Sequence, residues 1–147
     1  DILFLTGISG YKNEKLLIQF DTASHGFSYK PDTVLINKFG FFGEIFVTPP
    51  HILLPQKISA AFGRKSLKGR DFYDLVFLFG MNKKINYDYV KLKLNIDNGK
   101  ALKKYVLDHC EGLNFADLAS DVEPLLFDSE DKKKVILFKE YIQGIEF

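Results

Sequence analysis

An α+β fold, with a small, mainly antiparallel N-terminal sheet followed by a helical part, is what three features of this 147-residue chain predict. Short β-type runs separated by Gly, Asn, Asp and Pro fill the first third. At Thr48-Pro49-Pro50 the apolar period changes from that of a strand to that of a helix. Strands come first and helices afterwards, an order that favours separate sheet and helix layers over alternating βαβ units. The period change divides the chain into a β-rich part, residues 1–48, and a helical part, residues 49–147. No internal repeat or low-complexity linker interrupts it, and the length is that of one ordinary domain.

Element by element, Ile2 to Ile8 reads as a strand, Gly10-Tyr11-Lys12-Asn13 as a turn and Lys15 to Asp21 as the returning strand of a hairpin. Ser24 to Pro31 reads as a loop. Thr33 to Asn37 and Glu44 to Thr48 are two further β-type runs, separated by Phe39 to Gly43, with Phe41 and Phe42 placed to cover a sheet edge or a cleft. Thr48 can cap a helix, and Pro is tolerated in a first turn. Ile52, Leu53, Ile58, Ala61 and Phe62 then recur at helical spacing; Pro55 is expected to break or kink this helix, so its regular part begins near Pro55. Gly63 to Gly69 ends it. A second helix is predicted over Arg70 to Phe79, with Phe72, Leu75, Val76 and Phe79 on one face and Gly80 as its stop. Further helices are predicted over Tyr87 to Leu94, Gly99 to Cys110, Asn114 to Ala119 and Glu130 to Gln143, with Asn86, Asn114 and Asp128 or Ser129 as caps.

Composition narrows the function. Hydrophobic residues make up 46% of the chain, enough for a core rich in its 15 Phe. A net charge of +1 excludes binding of nucleic acid by bulk charge alone, although Arg64, Lys65, Lys68 and Arg70 form a local basic patch. Lys132-Lys133-Lys134, beside Glu130 and Asp131, reads as a solvated helix face. The single cysteine, Cys110, permits no intrachain disulfide and suits a reducing cytoplasm. No apolar run approaches the ~18 residues of a membrane span, and no signal peptide is expected. His25 and His51 lack metal-ligand spacing, and neither a Walker-type loop nor a G-x-S-x-G elbow occurs.

The chemistry-bearing stretch lies around the turn between the first two predicted helices. Lys57 and Arg64 are seven residues apart and share a helix face; Asp71 and Asp74, three apart, share another. Charges set among apolar residues are costly unless paired or used. Two readings stay open: a structural ion-pair latch between helices, or a site for an anionic substrate in which Lys and Arg hold phosphates. Asp71, near a helix start, can also serve as a cap. Asp21, at a strand end, is either a metal ligand or general base, or an ordinary turn residue.

The run Lys57-x-x-Ala60-x-x-x-Arg64 followed by Gly69-Arg70-Asp71-x-Tyr73-Asp74-Leu75 resembles the C-terminal motifs of the AbiEii/AbiGii toxin family, nucleotidyltransferase-like proteins of the polymerase-β superfamily. The resemblance is strongest over Val47 to Phe79 and extends more weakly to Lys15 to Asp21. It implies a nucleotidyltransferase sheet followed by helices, and transfer of a nucleotide from an NTP, with Mg²⁺, to a tRNA, another RNA or a protein acceptor. It also implies an antitoxin encoded nearby. Carried over, Lys57 would contact the triphosphate, with Arg64 beside it. Asp71 would be the acidic residue of the last motif, flanked by Arg70 and Asp74. Asp21 would stand for the carboxylate, and metal ligand, of the second motif, with Gln19 where an acid is often seen. The family's first motif, a Gly-Ser pair before an Asp-x-Asp strand, has no counterpart: Asp1-Ile2-Leu3-Phe4 offers one acid. Either the chain is the C-terminal part of a longer enzyme or the metal site has been lost; the missing initial Met and the strand at residue 2 favour the first, and the chain alone is expected to be inert. The alternative is a non-catalytic interaction domain with a buried Lys/Arg–Asp network and a Phe39 to Phe42 cluster that meets a partner.

Overall fold

The computed structural model describes residues 2–15, 17, 24, 26–81 and 84–147. Among these, a two-stranded antiparallel sheet precedes a bundle of helices. The elements are α1 (Ile2–Leu5), β1 (Asp32–Lys38), β2 (Phe41–Val47), α2 (Pro50–Phe62), α3 (Gly69–Gly80), α4 (Tyr87–Leu94), α5 (Gly99–His109), α6 (Phe115–Val122), α7 (Lys133–Ile136) and α8 (Phe138–Gly144). Two 3₁₀ turns, Glu123–Leu125 and Ser129–Lys132, join α6 to α7.

The strand expected over Ile2 to Ile8 is instead one helical turn. Gly7, at φ 71°, ends it, and Ile8 N–H donates to the Leu3 carbonyl at 2.9 Å. An apolar run becomes a strand only where a partner pairs with it, and no described residue pairs with this one. Of the expected returning strand, Leu16 and Ile18 to Asp21 lie outside the described residues; Lys15 and Leu17 are not in a strand. The next two β-type runs do pair, from Asp32 opposite Val47 to Lys38 opposite Phe41. Their connection is shorter than the expected Phe39 to Gly43 loop. Phe39 (φ 53°) and Gly40 (φ 75°) alone form the turn, so Phe41 and Phe42 lie in β2. Positive φ at both turn residues is the type I′ geometry that matches strand twist.

Pro55 sits inside α2 without ending it. A proline cannot donate to the carbonyl four residues back, which here is His51. That carbonyl accepts from Asn86 N–H at 3.0 Å instead, so the bond lost within α2 ties it to the start of α4. Asn86 in turn caps α4, its side chain accepting from Tyr89 N–H at 2.9 Å. Asn98, Asn114 and Asp128 cap α5, α6 and the second 3₁₀ turn in the same way. The single helix expected over Glu130 to Gln143 is split at Leu137 (φ −94°, ψ 17°), which leaves helical geometry between α7 and α8.

The core is drawn from the helices. Leu54, Ile58 and Ala61 of α2, Phe72, Leu75 and Leu78 of α3, Leu102 and Val106 of α5, and Phe138 and Ile142 of α8 all belong to it, and no residue of β1 or β2 does. α3 sits at the centre, packed against α2, α6, α7 and α8. Its entry depends on Gly69. A Cβ there would lie 1.8 Å from the Leu118 carbonyl oxygen of α6. Gly69→Ala is therefore expected to force α3 and α6 apart at a cost of about 2–3 kcal/mol. It would appear as a lower urea midpoint at unchanged slope, whereas Gly80→Ala, with nothing within 4 Å of its added methyl, serves as the control.

Candidate functional site

Four of the sequence-predicted residues meet where α2 ends and α3 begins. Lys57 lies on α2. Arg64 does not share its helix, as expected, because α2 stops at Phe62 and Arg64 reaches back from the following turn. Asp71 is in the first turn of α3, and Asp74 is one turn further on. The Lys57 ammonium donates to Asp74 Oδ2 at 2.5 Å and stands 3.7 Å from Asp71 Oδ1. The Arg64 guanidinium lies 3.1 Å from Asp71 Oδ2. The two cations thus bracket one carboxylate, and Asp74 holds Lys57 from the solvent side.

Burial is uneven across this cluster. Asp71 is 2% exposed and is the buried charged residue among those described. The side chains of Lys57 and Arg64 are 30% and 44% exposed. A buried carboxylate is tolerable where cations compensate it, and Asp71 has two. Its Oδ2 nevertheless makes no hydrogen bond of proper geometry, so its contact with Arg64 is electrostatic rather than a directed N–H···O bond. Groups left this way in a native interior call for an explanation.

Asp71 is not a cap. Lys68 occupies the N-cap position of α3 without a side-chain bond. The Gly69 N–H is satisfied from across the fold, by Asp121 Oδ2 on α6 at 2.9 Å. Asp121 is a residue that sequence reasoning missed. Its only signal was a carboxylate late in α6, and its partner lies 52 residues earlier. Of the remaining candidates, Arg70 is exposed and makes no ion pair among the described residues, as do Lys65 and, half-buried, Lys68. Asp21, expected as a metal carboxylate, lies outside the described residues, as do Gln19 and His25.

Elsewhere, no three His, Cys, Asp or Glu side chains among the described residues are placed to hold a metal ion. A cavity of about 580 Å³ opens between the loop before β1 and the starts of α2 and α4, lined in part by Tyr29, Lys30, Asp32 and His51. None of the four clustered charges lines it. Cys110 is buried, and burial pushes its thiol up to about 12, so it carries no thiolate at neutral pH. No described helix is long and apolar enough to cross a membrane. No family model, curated protein or solved structure matches the chain.

Proposed function

We propose that the α2–α3 cluster is the phosphate-facing part of a nucleotidyltransferase-like site resembling that of AbiEii-type toxins, acting with Mg²⁺ on an NTP and an RNA acceptor such as tRNA, or a protein acceptor. The setting of Lys57 supports this reading. Its ammonium has three donors; Asp74 takes one at 2.5 Å, buried Asp71 lies behind at 3.7 Å, and the group still reaches solvent. A cation fixed by carboxylates and open on one side is pre-organised for a phosphate oxygen. In this reading Lys57 and Arg64 touch the substrate, Arg70 extends the basic rim, and Asp71 and Asp74 position the cations. Asp21 enters as the metal carboxylate on the sequence resemblance alone.

The test is titration of the chain with each Mg²⁺–NTP, followed by NMR shifts and calorimetry. Binding that perturbs residues around Lys57, and that weakens at least about tenfold (~1.4 kcal/mol) in Lys57→Ala, is expected. Transfer of radiolabelled nucleotide to tRNA by this chain alone is not expected, since it carries no Asp-x-Asp pair and two-metal chemistry needs such carboxylates. Absence of binding with all four NTPs overturns the reading.

A second reading, a non-catalytic interaction module, has an observation of its own. Lys57 and Arg64 are each already matched by a carboxylate, while Phe39, Phe41, Phe42 and Phe46 of the hairpin are all exposed. That reading gains if NTP titration is silent.

A further inference from the structure

The β1–β2 hairpin stands outside the helical core, and both of its edges are open among the described residues. An isolated two-stranded ribbon is marginal in water; three or more strands make a stable sheet. Exposed edges are ordinarily blunted by a central Lys, Pro or bulge. Between Thr33 and Asn37, β1 has none of these, and Val34 and Leu35 are exposed.

We infer that the outer edge of β1 pairs antiparallel with β1 of a second copy of this chain, making a continuous sheet in the order β2-β1-β1-β2. The inference goes beyond the proposed nucleotide site and does not depend on it. The strand itself argues for this occupant. The two-residue turn at Phe39-Gly40 closes on the pair Lys38–Phe41. In such a hairpin that closing pair is hydrogen-bonded, and pairs alternate along the ladder. Asp32, Val34, Ile36 and Lys38 therefore turn their backbone groups toward β2, and Thr33, Leu35 and Asn37 turn theirs outward.

Two copies related by a two-fold axis at Leu35 bring these outward groups into register. Leu35 then faces Leu35 of the second copy, and Thr33 faces Asn37. In the intervening pairs, where side chains approach more closely, Val34 faces Ile36 and Asp32 faces Lys38. The sequence Asp32-Thr-Val-Leu-Ile-Asn-Lys38 is thus complementary to itself when reversed: acid to base, polar to polar, aliphatic to aliphatic. Sliding the register by two residues sets Asp32 against Ile36, or Lys38 against Val34. The opposite edge is not complementary to itself in this way. Pairing β2 with itself about its centre puts Glu44 directly against Glu44, and like charges directly opposite are destabilising.

A single seven-residue edge buries less than a standard interface, so the association is weak and concentration-dependent. Sedimentation velocity from low micromolar to near-millimolar chain is expected to show monomer passing to dimer. Asp32→Lys sets two lysines together at each end of the interface and is expected to raise the dissociation constant about tenfold (~1.4 kcal/mol). Combining it with Lys38→Asp restores the opposite pairing and recovers the dimer. Leu35→Lys, which puts two ammonium groups at the two-fold axis, is expected to give monomer throughout with unchanged circular dichroism. A chain that stays monomeric at every concentration overturns the proposal and leaves the edge to a strand from another protein. A dimer indifferent to Leu35→Lys, or one that the charge swap does not restore, overturns it as well.

Discussion

Phe72→Ala is expected to lower the stability of the chain by about 3–5 kcal/mol, the range for emptying a large aromatic site in a packed interior. Phe72 is fully buried near the start of α3, the central helix. Its ring meets Phe62 of α2, Phe115 of α6 and Phe138 of α8 edge-on, with centroids 5.8, 5.6 and 5.0 Å away. Each such pair adds to simple area burial. Because the three rings come from three different elements around the site, movement of any one of them does not restore all three contacts. Domains of this size hold about 5–15 kcal/mol in total, so the variant should approach the limit of folding at ambient temperature. Urea unfolding followed by near-ultraviolet circular dichroism measures the loss. Phe127→Ala, at a fully exposed ring, is the control and is expected to change stability by no more than about 0.5 kcal/mol. Equal midpoints for the two variants would mean that the aromatic cluster does not hold α3 in place.

What the sequence made legible was the local grammar. The step from period two to helical period at Thr48, the Asn caps and the apolar face of α3 follow from local rules and match the structure within a residue or two. What it hid was every choice settled by a distant partner. Ile2 to Ile8 satisfies a strand pattern, but no described strand pairs with it, and local hydrogen bonds closed a turn instead. Pro55 satisfies a helix-breaking rule, yet Asn86 accommodates the freed carbonyl. Gly69 looked like part of a turn, and only the approach of Leu118 shows why a side chain is excluded there. The charge cluster was legible as a set. Lys57, Arg64, Asp71 and Asp74 do converge. Their hierarchy was not, because spacing cannot say that Asp71 alone is buried or that Arg64 reaches it from beyond the helix.

That hierarchy sets the outcome of removing the cations. Lys57→Ala alone does not strand Asp71, since Arg64 remains 3.1 Å from Oδ2; the half-exposed Lys57–Asp74 pair is itself worth about 1 kcal/mol or less. Removing both cations is different. Lys57→Met with Arg64→Met keeps much of the apolar stem volume but leaves a carboxylate that is 2% exposed with no compensating charge, an imbalance that costs about 3–5 kcal/mol. Adding Asp71→Asn to that pair removes the stranded charge and is expected to return most of the loss. Thermal and urea unfolding of the single, double and triple variants measure the three terms. A double variant no less stable than Lys57→Ala would mean that Asp71 does not depend on its two cations, and the cluster would lose its claim as a latch. A double variant that is destabilised, and rescued by Asp71→Asn, assigns Arg64 and Lys57 jointly to Asp71. Nucleotide affinity in the stable Lys57→Ala protein can then be read as chemistry at the ammonium rather than as damage to the fold.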